Sequence, residues 1–288
     1  LTKPADKEVV WITGAGGLIG NYLVTLASRV APQFEARGLT RPKLDLLDWA
    51  AVARAFHEQK PAAIIHCAAM SKSPECQVNP QLARKINVES TARLAELAVN
   101  IPFIFFSTDL VFNGCKGNYV ETDAVEPLSF YAETKVAAEQ IVLANPRHTV
   151  IRTSLNSGTS PTGDRGFNEQ MRSAWQAGQK LNFFADEFRC PIPASATARA
   201  TWELLAKQQC GLFHVAGAER WSRAQIGEAL AARWPQLHPK FNVGSLKDYH
   251  GAPRSPDTSL NCGKAQTQLS SPLPGWTAWL RENPAQLF

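Results

Sequence analysis

Long hydrophobic runs are missing from this 288-residue chain. The longest candidate, around Phe103 to Phe106, breaks at Ser107-Thr108-Asp109, far short of the ~20 residues a spanning helix needs, so no membrane role is expected. The N-terminus has no basic-then-apolar-then-small signal pattern, which points to a cytoplasmic protein. Cysteines are few and unpaired in spacing. The six, at 67, 76, 115, 190, 210 and 262, read as reduced thiols rather than a disulfide frame or zinc site. Charge is not concentrated either: the net +5 is spread without a Lys/Arg block or basic-aromatic interleaving. That disfavours nucleic acid and permits an anionic small molecule. There is no internal repeat and no low-complexity tract. What is there is ordinary globular composition, 44% hydrophobic and 19% charged, enough for one large domain or a large and a small one.

An alternating strand–helix rhythm runs through the first half. Val9-Val10-Trp11-Ile12 has strand propensity and leads into Thr13-Gly14-Ala15-Gly16-Gly17-Leu18-Ile19-Gly20, followed by a helical pattern through Leu23, Val24, Leu26 and Ala27. Strand, glycine-rich turn and helix make the context in which such glycines point to a dinucleotide, although the same residues also suit an ordinary tight turn. Gly14 would allow the turn, Gly17 a close approach to a pyrophosphate, and Gly20 packing of helix on strand. The free N–H groups at the helix start, where Leu18 and Ile19 stand, would face the phosphates. Phe34 to Leu39 predicts the second strand, ending at Thr40-Arg41. A cation there, about twenty residues past Gly20, suits a 2′-phosphate and favours NADPH, with NADH as the alternative. A solvated surface Arg is the plain reading of the same residue.

Trp49 to Glu58 predicts a helix, and Ala62 to His66 a buried strand leading to Cys67-Ala68-Ala69, whose small side chains leave room for a ligand across the sheet edge. His66 reads as a satisfied core residue. Pro80 to Val99 predicts one long helix with Asn87 inside it, where a polar side chain is mildly disfavoured. Ile101 to Phe106 is a strand apolar on both faces, and Ser107-Thr108-Asp109 places hydroxyls at its carboxyl end, where open α/β sheets bind ligands. His148 to Ser154 predicts a further strand. From there the rhythm breaks into scattered elements, including helices near Gly166 to Gln176 and Thr197 to Gln208, a strand at Leu212 to Val215, and a capping-box helix start at Ser222. Arg254 is the cation of an extended-looking segment. The expected fold is α/β, a doubly wound parallel sheet over residues 1–155 with a smaller, partly interleaved substrate-binding region over 156–288.

The stretch Ser129-Phe-Tyr-Ala-Glu-Thr-Lys135 opens an apolar helical run that stops at Asn145-Pro146. Tyr131 and Lys135, four apart, share one helix face. A phenol beside an ammonium is expected to be a proton donor of lowered pKa. Bringing it from ~10 to ~7 needs about 4 kcal/mol of preference for the phenolate, much of which one close cation can supply. A partly buried Tyr with a solvating Lys is the bland alternative.

Four motifs stand in order: TGAGGLIG, Asp45 after the second strand, Ser107-Thr108-Asp109, and Tyr131-x-x-x-Lys135. Together they resemble the extended short-chain dehydrogenase/reductases, Rossmann-type enzymes acting mostly on nucleotide sugars. LTRPKLDLLD, STDLVFNG, ETDAVEPLSFYAETK and IRTS with GLFHVAG are similar to the dTDP-4-dehydrorhamnose reductase-like subfamily. The resemblance implies Tyr131 as general acid, Lys135 as its partner bonded also to the nicotinamide ribose, and Thr108 as the hydroxyl on the reacting oxygen. It implies Gly14, Gly17, Leu18, Ile19 and Gly20 at the pyrophosphate, Asp45 and Leu46 at the adenine, and Cys67, Ala68 and Ala69 along the cofactor. Asp109, Phe112, Asn156 and Arg254 are the expected substrate contacts. The implied reaction is hydride transfer to a sugar ketone, with a nucleotide sugar as substrate and a homodimer as the assembly the family allows. No acidic cluster supports a metal site such as the magnesium bound by some members.

Departures fall on the substrate side: Leu110 where an aromatic residue follows Ser-Thr-Asp, Leu155 where Trp follows Arg-Thr-Ser, Asp186 to Ile192, and Arg254-Ser-Pro-Asp-Thr258. An NADPH-dependent reductase of a nucleotide-linked 4-keto sugar is the leading expectation. An epimerase or dehydratase is the first alternative; a dehydratase would need a Glu at Leu110. The second is a catalytically idle nucleotide-binding regulatory subunit, against which Thr108, Tyr131 and Lys135 all stand intact.

Overall fold

The computed structural model describes residues 7–284. Its centre is a parallel sheet whose inner strands are buried on both faces, which is why they read as apolar stretches rather than alternations, while the edge strand Phe34–Leu39 is half-exposed. β1 (Glu8–Thr13), β2 (Phe34–Leu39), β3 (Ala63–His66), β4 (Phe103–Thr108) and β5 (Thr149–Thr153) are joined by a sixth strand, Gly211–Val215. Across the sheet the order is Gly211–Val215, β5, β4, β3, β1, β2. The chain therefore winds outward in two directions from β1 and β3, and the crevice between their carboxyl ends is where such sheets take a ligand.

Residue parity sorts the two faces. Ile12, Ile65, Ile104, Phe106 and Ile151 pack with Leu23 of helix α1 (Leu18–Val30) and with Trp202 of the Ala194–Ala206 helix. Trp11, Ile64, Phe103, Phe105 and Val150 pack with Val52 of helix α2 (Trp49–Gln59) and with Ala138 and Val142 of the Phe130–Leu143 helix, hereafter the tyrosine helix. A separate apolar cluster, with Phe167, Met171, Trp175, Phe183, Ile226 and Trp276, makes the core of a second lobe.

Elements beyond residue 155 also pack on the first lobe: the Ala194–Ala206 helix lies against α1, with Trp202 Nε1 donating to the Leu23 carbonyl at 3.0 Å and its ring stacked on Phe34. One feature differs from the sequence-based expectation: Pro80 to Val99 is not one regular helix. It comprises Pro80–Arg84, a π-helical segment Lys85–Glu89, and Ser90–Leu97. Asn87 sits in the π segment, buried, accepting from Met70 N at 2.8 Å and donating to Met70 O and Thr134 Oγ1 at 3.0 Å. The widened turn aims that amide inward, so the polar residue that looked out of place has three partners.

Candidate active site

At the crevice the glycine turn is fitted against the loop that follows β3. Gly14 has φ +67°, and a Cβ on it would lie 2.6 Å from Ala68 N. A Cβ on Gly20 would lie 2.4 Å from Gly14 O. Gly17 caps α1 without a side chain, and the helix has no acidic residue in its first turn. The first helical hydrogen bond runs from Asn21 N to Gly17 O, so the N–H groups of Leu18, Ile19 and Gly20 are left for an anion. That uncapped, glycine-lined helix end fits a pyrophosphate. His66 ties the two loops together, with Thr13 Oγ1 at 2.6 Å on one ring nitrogen and Thr91 Oγ1 at 3.0 Å on the other. Cys67 N meets Thr13 O and Ala68 N meets Thr13 Oγ1, both at 3.3 Å, which sets Cys67, Ala68 and Ala69 beside the turn.

The end of β2 adjoins the same turn through Ala15 N and Leu39 O. Arg41 projects from it, 76% exposed, with Asp45 Oδ2 at 3.5 Å. The other Asp45 oxygen accepts from Leu47 N at 3.0 Å, which leaves Leu46 between them on the rim.

On the opposite wall Ser129 caps the tyrosine helix by accepting from Ala132 N. Tyr131 and Lys135 point inward from its first turns, and Thr108 faces them from the end of β4; all three are buried. The Thr108 hydroxyl, which donates to Asp109 Oδ1 at 3.2 Å, opposes the rise in the phenol's pKa. Lys135 is 3% exposed and its Nζ lies 3.9 Å from the centre of the Phe105 ring. Burial pulls its pKa down to about 7, opposed by Glu139 and Cys67. Tyr131 departs from expectation in the opposite sense: burial, then the Asp109 charge, push the phenol well above its ordinary value. The ammonium rests on Phe105, and burial of the phenol outweighs the lowering expected from Lys135.

The four expected substrate contacts are placed differently from one another. Asp109 is 4% exposed, and its carboxylate accepts from Ser154 Oγ at 2.6 Å and Thr258 Oγ1 at 3.1 Å, with Arg189 Nε at 3.8 Å. It holds the site's frame instead of presenting an oxygen to a sugar. Phe112 is fully buried and stacked on Tyr119 at 4.0 Å, a core residue instead of a contact. Asn156 spends its amide on Thr153, Ser154 and Thr197. Arg254 lines a cleft in the second lobe, 37% exposed, but pairs with both oxygens of Glu187 at 2.8 and 2.9 Å.

Sequence reasoning missed a buried pair behind Lys135. Glu139, one turn further along the same helix, is gripped by Arg152 of β5 at 3.0 and 2.6 Å. Its four-residue offset from Lys135 was the available signal.

Residues 8–287 match the RmlD substrate-binding domain family. The chain belongs to that family. A dTDP-4-dehydrorhamnose reductase of Streptomyces griseus is 38% identical over 269 residues, covering 84% of this chain and 86% of that protein. Methionine adenosyltransferase 2 subunit beta of Rattus norvegicus is 28% identical over 281 residues, covering 90% and 81%. The crystal structure of a dTDP-4-dehydrorhamnose reductase of Bacillus anthracis in complex with NADP superposes with a TM-score of 0.84 at 24% identity, over 96% of this chain and 98% of that one, and shares the fold.

Proposed function

We propose that this chain is an NADPH-dependent reductase of a nucleotide-linked 4-keto sugar. The observation that carries the reading is the meeting of Thr108, Tyr131 and Lys135, all buried, across the crevice from an uncapped glycine-lined helix end. The named reductase relatives support the reaction class, and NADP in the Bacillus anthracis structure supports the cofactor.

Held at the glycine turn by the N–H groups of Leu18, Ile19 and Gly20, a reduced nicotinamide cofactor would supply the hydride that a carbonyl carbon takes up. Tyr131, kept protonated at neutral pH by burial and by Asp109, holds the proton that the emerging alkoxide takes. Thr108 Oγ1 bonds the same oxygen and fixes its distance from the phenol. Lys135 provides the charge that stabilises the phenolate left behind and a donor for the cofactor ribose. Arg41, exposed beside the turn, would hold a 2′-phosphate, exchanging its Asp45 contact for it. Leu110 follows Asp109 where a dehydratase would need an acid, so the inventory is that of a simple reductase. The protein is taken as cytoplasmic, with a homodimer as the assembly to examine by sedimentation.

Similarity to the methionine adenosyltransferase subunit favours one second reading, a nucleotide-binding regulatory subunit. Spectrophotometric NADPH oxidation against a panel of nucleotide 4-keto sugars separates the two. Turnover of at least one supports the reductase; NADPH binding without turnover of any supports the subunit.

A further inference from the structure

Lys135 can stabilise a phenolate only while it carries its proton, and burial works against that. The side chain is 3% exposed, with its Nζ against the face of Phe105. Few groups around it bring a negative charge. His66 and Cys67 face it from the end of β3. Burial pulls the His66 imidazole down to about 3 and pushes the Cys67 thiol far above its ordinary value, so both are neutral at pH 7. Burial likewise keeps the proton on Tyr131 and on Cys76. The Asp109 carboxylate, just past β4, is turned to Ser154 and Thr258, with Arg189 at 3.8 Å. Glu133 of the tyrosine helix is exposed. Glu139 remains. It stands four residues past Lys135 on the same helix face and is itself 3% exposed.

Packing does not account for an acid at that position. Arg152 of β5 grips both Glu139 oxygens, Nε on Oε1 at 3.0 Å and Nη2 on Oε2 at 2.6 Å, and both side chains are buried. Two apolar side chains of similar volume would fill the same helix–strand contact without desolvating any charge, and such replacements are often neutral or stabilising. The pair carries a further cost. Arg152 Nη1 is buried without a hydrogen-bond partner, and the guanidinium lies over the Phe112 ring at 5.1 Å. On its far side stands His214, neutral at pH 7, whose N–H donates to Glu121 at 2.9 Å. A buried pair of this kind beside a reaction site points to a use in that site. The two-pronged grip fixes the Glu139 carboxylate in one orientation. Among the charges around Lys135, that of Glu139 does most to hold the ammonium proton in place. We propose that Glu139 is a positioning residue for the reaction: clamped by Arg152, it sets a fixed negative charge one helical turn behind Lys135 and keeps that side chain cationic in its buried seat. The need for the cation rests on the reductase reading above; the holding of it does not.

Two readouts on the full chain test this. NMR of lysine side chains labelled at the ε carbon gives the protonation midpoint of Lys135, with Lys135→Met to identify its resonance. The wild-type midpoint should lie near pH 7. Glu139→Gln should lower it by about one pH unit or more, and Glu139→Asp should recover part of the loss. Because Glu139→Gln leaves Arg152 unpaired in the core, Glu139→Gln/Arg152→Met is measured beside it. That double variant removes both charges, should melt cooperatively, and should move the midpoint in the same direction. The second readout is the pH dependence of NADPH oxidation with whichever nucleotide 4-keto sugar the wild type turns over. Turnover should fall as pH rises through the Lys135 midpoint. In the variants that fall should shift to lower pH by the same amount, so that the rates converge in acid. A midpoint unmoved in both variants, turnover lowered equally at every pH, or loss of the fold in both overturns the proposal. A lowered midpoint with no sugar turned over by the wild type upholds Glu139 as the holder of the charge and overturns the reductase reading instead.

Discussion

Burial acts in opposite directions on the two titratable side chains of the tyrosine helix: it holds a proton on Tyr131 and drives one from Lys135. Tyr131→Phe should leave NADPH binding unchanged and lower turnover by roughly 10²-fold or more, the usual scale for a general acid, read from single-turnover rates. Lys135→Met should abolish turnover yet stabilise the fold. The ordinary lysine pKa is 10.5 and the folded value is about 7, so below pH 7 both states are protonated and the folded state bears the full burial penalty. Between the two values only the unfolded chain binds the proton, so that penalty fades as pH rises. The variant should gain roughly 2–5 kcal/mol below pH 7 and little near pH 10.5, measured by denaturant melts at both; a gain independent of pH would show that burial of charge is not the cause. Arg41→Ala should weaken NADPH more than NADH; an equal loss would return Arg41 to the role of a solvated surface cation. Tyr131 and Lys135 could be set on one helix face from sequence because their four-residue spacing is local, whereas Thr108 entered through the resemblance of its motif. Asp109, Phe112 and Asn156 could not be placed, because what occupies them comes from Thr258, Tyr119 and Thr197.

Among the elements, the glycine turn and the helix behind it behave as one unit. Gly20→Ala would set a methyl group 2.4 Å from the Gly14 carbonyl, backbone against backbone, so the turn must open. NADPH affinity and melting temperature should fall together; loss of one without the other would separate packing from binding. The π segment behaves differently. Asn87→Ala strips partners from Met70 N and Met70 O and should destabilise the protein by roughly 1–3 kcal/mol, with weaker NADPH binding because Met70 continues the Cys67–Ala69 loop. The inner strands of the first half were legible because both faces of each are covered, which leaves an apolar stretch at each, whereas the edge strand β2 carries exposed Glu35 and half-exposed Arg37. The π segment was not, because an inserted residue changes no periodicity that a single turn can reveal.

For the molecule as a whole, the first lobe borrows from the second half of the chain. Gly211–Val215 completes the sheet beside β5, and Trp202 seals α1. A fragment of residues 1–155 would expose the β5 edge and the Leu23 face, and should give no cooperative melt by circular dichroism where the full chain gives one. The change of rhythm near residue 155 marks where local pattern stops, and sheet membership is decided by packing that pattern does not report.

The Asp109 carboxylate, adjacent to the Thr108 hydroxyl, is secured by Thr258, 149 residues along the chain, and Asn118 by Ser259. During synthesis, then, the crevice can gather its cofactor-facing loops early, but the floor beneath Thr108 lacks one of its ties until Thr258 has left the ribosome. A chain released short of that point would carry every motif of a reductase and turn over nothing.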